Sequence, residues 1–100
     1  MNALMGIQKW YSSCCDGDWE HSYGIKIETL DNPGWSVDID LIGTPLESKP
    51  FETIKCEVNE QDWWHCFVEN GVFRGRGGQK NLSSILETFC TWAFANADEG

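Results

Sequence analysis

Basic side chains are scarce in this chain. Seven Lys and Arg stand against sixteen Asp and Glu in 100 residues, a formal net charge of −9. A protein that grips phosphates gains affinity from clustered Lys and Arg, so no nucleic-acid partner is expected. A partner, where there is one, is basic; otherwise the acidity serves solubility alone. Long apolar runs are missing too. Nothing approaches the ~18 consecutive apolar residues that span a bilayer. The first residues lack the basic region, continuous apolar segment and cleavage site of a signal peptide. These absences predict a cytoplasmic protein with no membrane partner. Cysteines do not pair up by count: there are five, and Cys14 and Cys15 are adjacent. That is poor for a disulfide framework and ordinary for a reducing cytosol.

What the chain has in quantity is aromatic bulk. Thirteen aromatic residues, six of them Trp, give a short chain large units to bury, so a core forms without staples. One hundred residues make a single domain, 1–100, with no room for a second.

The most informative stretch runs from Asp16 to Leu41. A polar-aromatic head, Asp16-Gly17-Asp18-Trp19-Glu20-His21, precedes two alternating segments. Trp35, Val37, Ile39 and Leu41 alternate with Ser36, Asp38 and Asp40, the period of a half-buried strand. Tyr23, Ile25, Ile27 and Thr29 against Lys26 and Glu28 read as its partner. Asn32-Pro33-Gly34-Trp35 suits a type II turn, with a positive φ expected at Gly34. Before this hairpin, residues 2–15 predict a helix capped by Asn2, with Leu4, Ile7, Tyr11 and Cys14 as its apolar stripe and Trp10 widening it. After it, 44–50 is a loop with two prolines. Strands follow at Phe51 to Val58 and Asp62 to Glu69. The second of these is apolar on both faces and so is central or covered by a helix. Asn70-Gly71 is a type I′ hairpin signal leading to a strand from Val72 to Arg76. Asn81 caps a last helix over 82–96 with Leu82, Ile85, Leu86, Phe89, Trp92 and Ala93 on one face, and the tail Ala97 to Gly100 frays. The expected fold is α+β, order α-β-β-β-β-β-α. It is an antiparallel meander of about five strands, with both helices on one face and the other face wet.

Several residue sets carry possible chemistry. Asp16, Asp18, Glu20 and His21 invite a metal or acid–base reading, but Gly17 interrupts the spacing of a calcium loop and the remaining ligand positions are missing. The bland alternative is a solvated loop with Trp19 tucked under it. Cys14, Cys15, Cys56, Cys66 and Cys90 read as core filling more than as nucleophiles, with Cys15 off the helix stripe. Gly75-Arg76-Gly77-Gly78 lacks the rest of a phosphate-binding motif and suits a tight passage into the helix. No catalytic residue, metal or cofactor is assigned. The strongest constellation is acidic. Glu28, Asp38 and Asp40 share one face of the hairpin, and Asp16, Asp18 and Glu20 open it. Uncompensated carboxylates repel, and a basic partner relieves that repulsion; alternatively Lys26 and other bases screen them.

Trp10-Tyr11, Cys15-Asp16-Gly17-Asp18-Trp19-Glu20-His21, Tyr23-Gly24-Ile25 and Leu30-Asp31-Asn32-Pro33-Gly34-Trp35 carry a resemblance. Asp40-Leu41 with Gly43-Thr44, Trp63, and Asn81-Leu82 with Phe89 and Trp92 extend it across nearly the whole chain. On these motifs the sequence resembles the immunity protein 53 family of bacterial toxin-immunity systems. The resemblance implies a small cytoplasmic protein, not an enzyme, that binds and neutralises a cognate polymorphic toxin. The combined expectation is occlusion. Asp16, Asp18, Glu20, Glu28, Asp38 and Asp40 dock on a basic toxin surface such as a nuclease groove, and charge reversal at Asp38 and Asp40 weakens binding. The protein itself is expected to be a monomer or a weak homodimer. A small enzyme or metal-binding domain centred on Asp18, Glu20 and His21 is the competing reading.

Overall fold

The computed structural model describes residues 2–96; the expected fraying of Ala97 to Gly100 lies outside the described residues. The order of elements is the expected one. Helix α1 covers Ala3–Cys14 and a short helix α2 covers Trp19–Ser22. Strands β1 (Ile25–Leu30), β2 (Gly34–Asp40), β3 (Ile54–Asn59), β4 (Asp62–Glu69) and β5 (Val72–Gly77) precede helix α3, Leu82–Ala95. Every strand pair is antiparallel, in one open five-stranded sheet. The spatial order is β1-β2-β5-β4-β3. The chain therefore meanders within β1-β2 and within β3-β4-β5, and β2 neighbours β5 instead of β3. The reason lies in residues 41–53, which act as more than a spacer. Leu46 is buried. Phe51 packs edge-on to Phe73 and Trp92, at ring distances of 5.4 and 5.0 Å, and the Trp92 Nε1–H donates to Pro50 O at 2.9 Å. The segment is held against the core while the chain passes to the far edge of the sheet.

Alternation decides which side chains face the helices. Cross-strand partners share a face, so Val37 and Ile39 of β2, Phe73 of β5 and Cys66 of β4 all point to the same side, and all are fully buried. Helix α3 lies on β4 and β5 there, and α1 packs on α3. A string of edge-to-face rings ties the layers together: Trp19 to Trp10 (6.0 Å), Trp10 to Phe89 (4.9 Å) and Phe89 to Phe73 (5.0 Å). Such contacts add to area burial. β4 lies between β5 and β3, as its two apolar faces predict. Among the described residues no helix is long and apolar enough to cross a membrane.

Four local expectations are corrected. Helix α1 buries Gly6, Ile7 and Trp10, while Leu4 is 62 % exposed and Tyr11 also reaches solvent. The helix is rotated so that the small Gly6 meets Cys90 of α3. Gly34 has no positive φ. It is the first residue of β2, paired with Leu30, and its lack of a side chain makes room for Gly77 O. Asn81 stands at the start of α3, yet its side chain caps nothing. It is buried, accepts from the Trp63 amide and donates to Asp62 Oδ1 at 3.0 Å. Finally, α2 is a helical turn where the sequence reads as a loop. The Asn70-Gly71 turn is as expected, with φ of 52° and 76°.

Candidate functional site

The acidic residues separate into two places. The first is the joint between α1 and α2. Asp16 Oδ1 accepts the backbone N–H groups of Asp18 and Trp19, both at 2.9 Å. Glu20 reaches back, its two oxygens accepting from Asp16 at 3.0 Å and Gly17 at 2.9 Å. This is the reciprocal logic of a capping box, in which side chains satisfy the free amides of a helix start. Backbone donors, Trp19 first and Asp18 next, hold the Asp16 carboxyl below its ordinary value. Glu20 is likewise lowered, by its own backbone N–H foremost and then by those of Asp16 and Gly17. Trp19 is buried behind this turn, with Nε1–H donating to Ile42 O at 2.9 Å. The Asp18 carboxylate forms no hydrogen bond or ion pair among the described residues.

The second place is the sheet face turned away from the helices. Lys26, Asp38, Arg74 and Phe67 form one row across it, and Glu28, Ser36, Arg76, His65 and Lys55 the next. Asp38 Oδ1 takes both Arg74, at 3.3 Å, and Arg76, at 3.1 Å. Arg76 also donates to Gly75 O at 2.8 Å, and Arg74 lies 3.6 Å from Glu69. Asp40 Oδ2 accepts the Gly24 amide at 2.9 Å, tying the end of β2 to the approach to β1. The sequence expectation that Glu28, Asp38 and Asp40 share a face holds. The screening alternative holds with it: Glu28, Asp38, Asp40, Glu57 and Glu69 are interleaved with Lys26, Lys55, Arg74 and Arg76. Nothing local in the sequence places β5 beside β2, so the pairing of Arg74 and Arg76 with Asp38 comes from the structure alone. The Glu28 carboxylate, like that of Asp18, has no partner among the described residues.

This geometry bears on the metal and acid–base reading. Both Glu20 oxygens are already engaged by amides. Among the described residues no group of three His, Cys, Asp or Glu is placed to hold a metal ion. Burial pushes the Cys66 thiol up to about 11 and raises Cys14 and Cys90, which keeps these sulfurs protonated and poor as nucleophiles. Exposed Cys15 donates to Tyr11 O at 3.3 Å. The depression on the open face, about 300 Å³ among Lys26, Asp38, Asp40, Val72 and Arg74, is shallow. The open face is thus broad and of alternating charge, with half-buried aromatics such as Trp63 and Phe67 set among the charged side chains.

The chain belongs to the immunity protein 53 family, whose family model matches residues 4–94. Membership makes it an immunity protein, a class defined by its action on a partner toxin. Searches of curated proteins and of solved structures return no match.

Proposed function

We propose that this protein binds one cognate toxin of a polymorphic toxin system and neutralises it by covering its working surface. Family membership across residues 4–94 carries the reading. The acid excess supports the finer part, a basic toxin surface such as the substrate groove of a nuclease, where carboxylates stand in for phosphates. The six carboxylates named from the sequence take different roles. Asp18 and Glu28 are unspent and make direct contact. Asp38 and Asp40 present that face while holding Arg74, Arg76 and Gly24 in place. Asp16 and Glu20 shape the loop that displays Asp18.

Co-expression with the toxin-like product encoded beside this gene tests the reading, scored by survival and by co-purification. Survival with a stoichiometric complex is expected. Unrelieved toxicity with no complex, for each toxin candidate encoded beside the gene, counts against it. Charge reversal at Asp38 is a poor probe, because it leaves two arginines without their carboxylate. Asp18→Lys with Glu28→Lys is the clean variant. It should weaken the complex by about tenfold or more while leaving the unfolding curve unchanged. Unchanged affinity would remove these two residues from the interface.

A further inference from the structure

The sheet is open, with β1 and β3 at its edges. An edge strand presents unpaired N–H and C=O groups, a template for another strand. The ladder shows which groups these are on β3. The Gly78 amide donates to Trp63 O, so odd-numbered residues of β4 bond toward β5 and even-numbered ones toward β3. Ile54 stands opposite Cys66, and Cys56 opposite Trp64. Their backbone groups are therefore taken, and those of Lys55 and Glu57 point away from the sheet.

We propose that β3 pairs antiparallel with β3 of a second copy of this chain, about a two-fold axis at Cys56. The strand is self-complementary in that register. Lys55 and Glu57 of the second copy become a hydrogen-bonded backbone pair, and the symmetry makes the same pair again on the other side of the axis. Both side chains lie on the open face of the sheet. Glu57 Oε1 already meets His65 Nε2 at 2.7 Å, which leaves its other oxygen for Lys55 of the second copy, so a cation meets a carboxylate across the junction twice. Ile54, 36 % exposed, is brought toward Val58, 65 % exposed. The irregularity of β3 begins only after Glu57, leaving Ile54 to Glu57 regular. Beside the strand, an apolar notch of about 530 Å³ opens toward α3, floored by Phe51, Ile54, Trp64 and Trp92. A sheet continued past β3 covers it. The other edge also carries a Lys and a Glu two apart, Lys26 and Glu28, but the depression beside it is lined mainly by charges. The inference concerns the protein alone and does not rest on the toxin reading.

Sedimentation equilibrium on the purified protein, without toxin and up to the millimolar range, should show a reversible dimer of twice the 11.4 kDa chain. Lys55→Glu or Glu57→Lys should raise the dimer dissociation constant roughly tenfold or more, because two attractive pairs become repulsive at once. The double variant K55E/E57K, which exchanges the charges but also removes the Glu57–His65 contact, should return it most of the way to the wild-type value. Lys26→Glu, matched in charge change but on the other edge, should leave it unaltered. Unfolding curves establish that each variant is folded. A wild type that stays monomeric, a dimer indifferent to both single reversals, a double variant no tighter than the singles, or a Lys26→Glu effect equal to that of Lys55→Glu overturns the proposal.

Discussion

Gly75 sits in the middle of β5 because Ile85 of α3 occupies the place a side chain would take. The helix comes down onto the sheet at that point. Adding one methyl there forces strand and helix apart. Gly75→Ala is expected to cost about 1–3 kcal/mol, the usual range for overpacking a filled core, read as a lower urea midpoint. An unchanged midpoint would mean that Ile85 shifts without penalty. Asp16 and Glu20 act at the same scale, through proton linkage. Their ordinary values are 3.8 and 4.5, and the fold lowers both. A carboxylate with a lowered folded value contributes stability that is complete above its unfolded value and is lost as pH falls through the folded one. The acid limb of stability below about pH 4.5 should therefore be shallower in Asp16→Asn with Glu20→Gln, measured as melting temperature against pH. An acid limb as steep as wild type would show that other carboxylates set it.

At the scale of elements, the joint between β4 and α3 is the part the sequence misassigns. Asn81 is the expected cap residue and stands at the expected position, but its amide spans to Asp62 and Trp63. The two roles predict opposite responses to one substitution. Asp is as good an N-cap as Asn, so a capping residue would tolerate Asn81→Asp. Here that change removes the donor to Asp62 and sets a buried carboxylate against the exposed one of Asp62, at an expected cost of about 1–3 kcal/mol. Chemical denaturation decides between them, and a neutral Asn81→Asp would restore the capping role. The elements themselves were legible wherever one local signal dominated. Period two marked β2 and β4, and Asn70-Gly71 marked a turn needing two positive φ values. The α1 stripe was misread because Leu4 and Ile7 satisfy helical spacing as well as Gly6, Ile7 and Trp10 do. Only the partner helix, with Cys90 against Gly6, selects between those faces.

At the scale of the whole molecule, charge is distributed in a way composition conceals. Little of the net −9 lies on the open face, where acids and bases alternate. More of it is spread outside the strands, at Asp16, Asp18, Asp31, Glu47, Glu52 and Glu60 between elements and at Glu20 in α2. On the proposed reading, steering of a basic toxin is then a long-range effect of the whole chain. Its association rate should fall about tenfold or more between low salt and physiological ionic strength, with a smaller change in dissociation rate. Stopped-flow binding measures both, and a salt-independent association rate would end the electrostatic model.

The sequence by itself determined the α+β class, the order of elements, the hairpin turn at Asn70-Gly71 and the family, since each is written in local periodicity or in contiguous motifs. Only the tertiary structure decided that β5 inserts beside β2, that Arg74 and Arg76 thereby neutralise Asp38, and that Asp16 and Glu20 are consumed in building a turn. Strand neighbours far apart in the chain are chosen by which buried faces fit together, and a carboxylate is free or spent according to what that choice places beside it.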